Sequence, residues 1–119
     1  LLVTAIKNLV ENAILYSDEG SQVGIGLRQK HGIAAVAVAD SGVGIAPEHQ
    51  DRIFERFYRA DPSRSRQTGG TGLGLAIVKH VALKHRGEVQ LFSQPGLGST
   101  FTFRIPVAKQ KLTTSKDDE

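Results

Sequence analysis

The 119-residue sequence contains no cysteine, no methionine and no tryptophan. Without thiols it can form neither disulfides nor a thiolate metal site, which fits a reducing compartment. Aromatic residues are few, two tyrosines and five phenylalanines. A single-stranded nucleic-acid track would need more stacking rings and a broader basic face. Long apolar runs are also missing. The longest, Ile33 to Ala39, is far short of the roughly 20 residues that span a bilayer. No secretory signal is present, so any membrane anchor lies outside this stretch and the stretch itself makes no membrane contact.

What remains is an ordinary globular composition, 39% hydrophobic and 23% charged, of a length that suits one domain with a single core. The chain opens at Leu1, already inside a helical pattern, and reads as a domain cut at its N-terminal side. The net charge of +3 is local: five arginines against Glu55 and Asp61 between residues 52 and 66 account for it, and the rest is balanced. A basic segment of that size points to a small polyanion.

Beside that segment lies Gly69-Gly70-Thr71-Gly72-Leu73-Gly74-Leu75, followed by an amphipathic run to Arg86. Glycines let main-chain amides approach a ligand, and a helix starting there adds free N–H groups and a positive dipole end. The local reading is a polyphosphate site with a basic lid, beside the plainer one of a glycine-rich surface loop. It is neither a dinucleotide loop, which follows an apolar strand, nor a Walker loop, which needs Lys then Ser/Thr where Leu75 and Ala76 stand.

In chain order, Leu2, Ile6, Leu9, Ala13 and Ile14 predict a helix over 1–16. Asn8 and Asn12, one turn apart, are poor helix formers on one face. They read either as ligands of a hard cation that carries phosphate or as solvated amides. Val23, Ile25 and Leu27 alternate as a strand, residues 29–32 form a hairpin connection, and Ile33 to Ala39 reads as a more deeply buried strand. That strand ends in Asp40-Ser41-Gly42-Val43-Gly44-Ile45. A carboxylate there can accept from the exocyclic amine of adenine, whereas guanine would turn its O6 toward it; the alternative is an aspartate that opens a turn.

Pro47-Glu48 starts a short helix running through Arg52, and the rings of Phe54 and Phe57 read as core or lid-hinge packing. Residues 58–71 lack periodicity and have the length of a lid. A helix over about 73–86 should stop at Gly87 as its left-handed cap. Val89 and Leu91 mark a strand, Pro95 to Gly98 a turn, and Phe101, Phe103, Ile105 and Val107 the last strand. The expected domain is 1–107, with 108–119 a disordered tail. His31, His49, His80 and His85 have no partner ligand at useful spacing and read as solvated or helix-end residues.

Together, Asn8-x-x-x-Asn12-Ala13, Asp40-x-Gly42-x-Gly44, Phe54-x-x-Phe57, Gly70-x-Gly72-x-Gly74-Leu75 and Gly98-Ser99-Thr100-Phe101 resemble the N, G1, F, G2 and G3 boxes of a family. It is that of the catalytic ATP-binding domains of sensor histidine kinases, of the Bergerat fold shared with gyrase B, Hsp90 and MutL. Phe54 to Arg59 and Gly72 to Lys79 look most like sensors whose partners are OmpR-type response regulators, with a phosphate-regulon-type sensor a possible closer relative. The resemblance implies an α/β two-layer sandwich: a mixed, mainly antiparallel sheet with helices on one face.

It implies further that Asp40 binds the adenine amine, with Gly42, Gly44 and Ile45 shaping the pocket and Thr100 closing it. Asn12 would hold Mg²⁺, Asn8 would support the phosphates and Tyr16 would line the pocket. Arg59 and Arg66 would act from the lid, and the run Gly70, Gly72, Leu73, Gly74 and Leu75 would cradle the polyphosphate. Gyrase-type ATPases carry a water-activating Glu where Asn8 stands. An amide takes no proton, so the resemblance points to transfer of the γ-phosphate, with Asn8, Asn12 and Arg59 catalytic. The acceptor would be a histidine on a separate dimerisation domain, then a response regulator, in the cytoplasmic part of a membrane-anchored bacterial sensor. The other readings are a non-catalytic nucleotide- or partner-binding module, which only Leu15 in place of the usual Lys favours, a Bergerat ATPase, and an anti-sigma-type serine kinase. The strands expected before the first helix are absent, so a raw sheet edge is also expected.

Overall fold

The computed structural model describes residues 1–58 and 73–107. Arg59, Arg66, Gly70 and Gly72, the expected lid after Tyr58 and the expected tail lie outside them. The described chain runs α1 (Leu2–Leu15), β1 (Val23–Lys30), β2 (Ile33–Asp40), α2 (Pro47–Gln50), α3 (Gly74–Lys84), β3 (Glu88–Gln94) and β4 (Gly98–Pro106).

The strands form one sheet in the order β1-β2-β4-β3, and every pairing is antiparallel. The sheet is thus the expected α/β layer at its antiparallel limit. Alternation decides its faces. Val36 pairs with Phe103 and Val38 with Phe101, and Val38, Phe101, Phe103 and Ile105 are buried. α1 lays Ala5, Leu9 and Ala13 on this face and α3 lays Val78, Val81 and Ala82 on it, all buried. Alanines one turn either side of Leu9 keep α1 close to the sheet, and the two helices also pack on each other. Phe54 closes the core edge-on to Phe101, with ring centroids 6.1 Å apart.

Most turns follow the chemistry of their residues. His31 and Gly32, at φ 54° and 78°, give the two-residue connection that suits the twist of β1 and β2. α3 ends differently from the expectation. Arg86, not Gly87, takes the left-handed position, at φ 63°. Gly87 N then donates to Ala82 O at 2.7 Å and Arg86 N to Leu83 O at 3.0 Å, a Schellman closure. Gly87 is needed for another reason: a Cβ there would lie 1.9 Å from Arg104 O.

α2 stops at Gln50, and the chain to Phe54 continues as turns. Phe57 is no core residue; it is 67% exposed at φ 66°. Its neighbour Tyr58 packs inward, with its hydroxyl against His49 Nδ1 and the Arg52 guanidinium 4.6 Å from its ring centroid. His49 is therefore partnered, not merely solvated. His85 Nδ1 meets Val81 O at 2.9 Å, a helix-end histidine as expected.

Among the described residues nothing pairs with the outer edge of β1. Register puts Ile25 opposite Val38 and Leu27 opposite Val36, on the core face, yet they are 59% and 78% exposed. Of this strand only Val23 packs against the core, so the raw edge carries an uncovered apolar strip beyond it.

Candidate functional site

β2 ends and β4 begins side by side, with Asp40 opposite Ser99. Around this end of the sheet the fold collects the last turns of α1, the loop 41–46 and the first turn of α3. α1 presents Asn8, Asn12 and Tyr16 at successive turns, and all three are half-buried. The Asn8 amide reaches the start of α3: its Oδ1 lies 3.6 Å from where a Cβ on Gly74 would be. A side chain at position 74 would meet that amide.

Asp40 is half-buried and its Oδ1 accepts a hydrogen bond from Gly42 N at 2.9 Å. Burial pushes its carboxyl above the ordinary aspartate value, and backbone N–H bonds from Gly42 and Ser99 pull the other way. Burial wins. A carboxylate has about four acceptor positions. This one is short of solvent and gains from any further donor that reaches it.

The loop after Asp40 is pressed against backbone on two sides. A Cβ on Gly42 would stand 1.9 Å from Tyr16 O, and one on Gly44 2.2 Å from Gln94 O. Gly44 also has φ 76°, so glycine is required there twice over. Gly96 N donates to Val43 O at 2.8 Å, tying the loop to the β3–β4 turn. That turn is close enough that a Cβ on Gly98 would stand 2.1 Å from Asp40 O. Ile45, half-buried, packs against the core beyond Gly44.

The structure thus brings Asn8, Asn12, Tyr16, Asp40, Gly42, Gly44, Ile45, Leu73, Gly74 and Leu75 to one end of the domain. Thr100 is placed differently from the expectation. It pairs with Ala39 and Phe92 and, by alternation from the buried Phe101, sits on the opposite face from Asp40. Ser99 holds the inward position, buried and opposite Asp40 in the ladder. The signal was available: the phase set by Phe101, Phe103 and Ile105 already turns residue 99 inward. A separate cavity of about 360 Å³, lined by Phe54, Lys79, Leu83, Val89 and Leu91 among others, lies between α3, β3 and the chain after α2. Of its lining residues, none is among those expected to meet the nucleotide.

For a divalent cation the described residues offer no group of three His, Cys, Asp or Glu side chains. The residues expected to meet it, Asn8 and Asn12, carry amide oxygens. Such neutral oxygens suit Mg²⁺ when substrate phosphates and water supply the remaining ligands. No described helix is long and apolar enough to cross a membrane.

The family described as histidine kinase-, DNA gyrase B-, and HSP90-like ATPase matches residues 1–109. Sensor-like histidine kinase SenX3 of Mycolicibacterium smegmatis is 62% identical over 106 residues, 89% of this chain and 28% of SenX3. Phosphate regulon sensor protein PhoR of Pseudomonas aeruginosa is 48% identical over 108 residues, 91% of this chain and 24% of PhoR. The chain thus spans only about a quarter of the curated relatives it matches. Among solved structures, a chain of the mycobacterial sensor histidine kinase MprB superposes with TM-score 0.75 at 38% identity, covering 88% of this chain and 69% of the solved one. Full-length ShkA in complex with AMPPNP gives TM-score 0.76 at 32% identity, covering 93% of this chain and 23% of ShkA.

Proposed function

Because this chain belongs to the histidine kinase-, DNA gyrase B-, and HSP90-like ATPase family, we propose that it is the ATP-binding catalytic domain of a sensor histidine kinase. It holds ATP and presents the γ-phosphate to a histidine on a separate dimerisation domain. The observation that carries this reading is the Asp40 carboxylate, half-buried at the end of β2 and held by the Gly42 N–H. It is a fixed, under-solvated acceptor of the kind an adenine amine needs. Full-length ShkA is solved in complex with AMPPNP, which supports an adenine nucleotide as the ligand here.

The roles then follow from position. Asp40 takes the exocyclic amine, and Gly42, Gly44, Ile45 and Ser99 shape the space for the ring, with Tyr16 at its side. The amides at the start of α3, around Leu73, Gly74 and Leu75, face the polyphosphate with the positive end of the helix. The Asn8 amide lies beside Gly74 at the start of that helix, and Asn12 follows it one turn along α1. Mg²⁺, when bound through Asn12, supplies charge neutralisation across the phosphates. Arg59 and Arg66, with Gly70 and Gly72, act from the segment outside the described residues, where the arginines spread charge off the transferring group.

Transfer breaks the bond between the γ-phosphorus and the oxygen bridging to the β-phosphate, and forms a bond to a ring nitrogen of the acceptor. ADP leaves, and the ring proton goes to solvent. The side chain at position 8 is an amide, which cannot take a proton from water. Hydrolysis is therefore slow and the phosphoryl group waits for its acceptor. In the longer protein this domain works on the cytoplasmic side of a membrane-anchored sensor and passes phosphate to a response regulator.

The test is transfer in trans. Incubated with ATP, Mg²⁺ and a histidine-bearing dimerisation domain from the same protein, the chain is expected to label that histidine at least about tenfold faster than it releases phosphate, a barrier difference of ~1.4 kcal/mol. Steady phosphate release without labelling would mark an ATPase instead.

A further inference from the structure

Loop 41–46 carries the glycines of the base pocket, but two side chains outside every motif hold its far end. Ile45 N donates to Ser93 Oγ at 2.8 Å, and Ile45 O accepts from Gln50 Nε2, also at 2.8 Å. Both main-chain polar groups of one residue are therefore satisfied by side chains, one from β3 and one from α2. The same Gln50 Nε2 also reaches Ser93 O at 3.3 Å.

The Ser93 hydroxyl is fully used. It donates to Gly98 O at 3.0 Å, accepts from Ile45 N and lies 2.8 Å from Ser99 Oγ. One donor proton and two lone pairs are the whole capacity of a hydroxyl. With its single proton on Gly98 O, the contact to Ser99 must be one in which Ser99 donates. Ser99 is buried, pairs with Ser93 across the β3–β4 ladder, and stands opposite Asp40 in the β2–β4 ladder. A path of strand pairing and hydrogen bonds thus runs from Asp40 through its partner Ser99 and then Ser93 to Ile45. It closes the pocket loop from behind.

We propose that Ser93 and Gln50 are positioning residues for the base: they set the distance between Ile45 and Asp40, and hence the slot into which a purine ring fits. The proposal rests on the ATP reading above. It separates the two halves of the nucleotide, because the phosphate half is held by α1 and the start of α3, which neither side chain touches. Loss of the clamp therefore weakens ring binding and spares triphosphate binding. A general loss of structure would weaken both.

The experiment titrates this chain, and its Ser93→Ala, Ser93→Thr, Gln50→Ala and Asp40→Asn variants, with ATP and with inorganic triphosphate, each with Mg²⁺. Ser93→Ala is expected to raise the Kd for ATP about tenfold, as loss of a hydrogen bond worth about a factor of ten in binding would. Its Kd for inorganic triphosphate stays unchanged. Gln50→Ala raises the Kd for ATP about threefold by the same reasoning, and Ser93→Thr, which keeps the hydroxyl, restores ATP binding. ATP affinity unaltered in Ser93→Ala and Gln50→Ala, with Asp40→Asn impaired, overturns the clamp and leaves the ATP reading standing. Equal losses for ATP and triphosphate in both clamp variants overturn it too, as a purely structural effect. Normal ATP binding by Asp40→Asn overturns the ATP reading itself.

Discussion

Asp40→Asn lowers the affinity for ATP by about 30-fold or more, roughly 2 kcal/mol, in the range of a charge-assisted hydrogen bond lost from a half-buried site. The new amide presents an N–H₂ group where the adenine amine needs an acceptor, so one donor faces another. The fold survives, because the remaining amide oxygen still accepts from Gly42 N, the 2.9 Å bond that Oδ1 makes now. The pH dependence follows from the direction of the shift. Burial raises the Asp40 carboxyl above its ordinary value, so the folded state favours the protonated form. That contribution to stability is full below the ordinary aspartate range and is lost as pH rises through the raised value. At neutral pH the fold therefore carries the cost of a half-buried charge, and Asp40→Asn removes it.

Nucleotide binding runs the other way, since the amine needs the ionised carboxylate. ATP affinity falls as pH drops through the raised value, and Asp40→Asn flattens that part of the profile. Calorimetric titration of both proteins over a pH series checks both outcomes.

Gly42→Ala has the largest expected effect on the fold of the pocket. Its Cβ would meet Tyr16 O at 1.9 Å, Tyr16 C at 2.8 Å and the Asp40 Oδ1 at 3.1 Å. The first two are backbone atoms at the end of α1, and no side-chain rotation relieves them. Either the loop or the helix end must move, and both carry the candidate nucleotide residues. A cost of about 2–3 kcal/mol is expected for such overpacking, enough to lower the melting temperature by roughly 10 °C or more in a domain of this size. ATP binding is lost with it. Gly24→Ala is the control. A Cβ there meets nothing within 4 Å, so a melting curve within about a degree or two of the parent, and unchanged ATP binding, follow for a ΔΔG near zero. An unchanged Gly42→Ala variant would mean that the loop does not rest on Tyr16.

Sequence periodicity carried much of this. The apolar stripe of α1 and the alternation of β2 and β4 come from residue types whose burial is not negotiable, and the structure buries Leu9, Val38, Phe101 and Phe103 accordingly. The apolar run Ile33 to Ala39 marked β2 as more deeply buried than the alternating β1, but alternation alone could not show that Ile25 and Leu27 lie on an exposed strip. Gly87 carries the residue type of a helix cap, but the constraint on it is the approach of Arg104 O, fixed by strand packing far along the chain. Thr100 takes its expected role from a motif's order, whereas the phase of its own strand turns Ser99 inward. Ser93 gave no signal: it is one more serine in an alternating strand, and its partner Ile45 is 48 residues away. Local pattern finds the residues that define a site. The residues that hold it in place depend on which strand ends at which loop.

The central claim is that Asp40 reads an adenine ring, and titration of the chain with ATP and with GTP in the presence of Mg²⁺ tests it most directly. The account predicts that ATP binds and GTP binds at least about tenfold more weakly, about 1.4 kcal/mol, because guanine turns an acceptor toward the carboxylate. Equal affinity for the two nucleotides would contradict it.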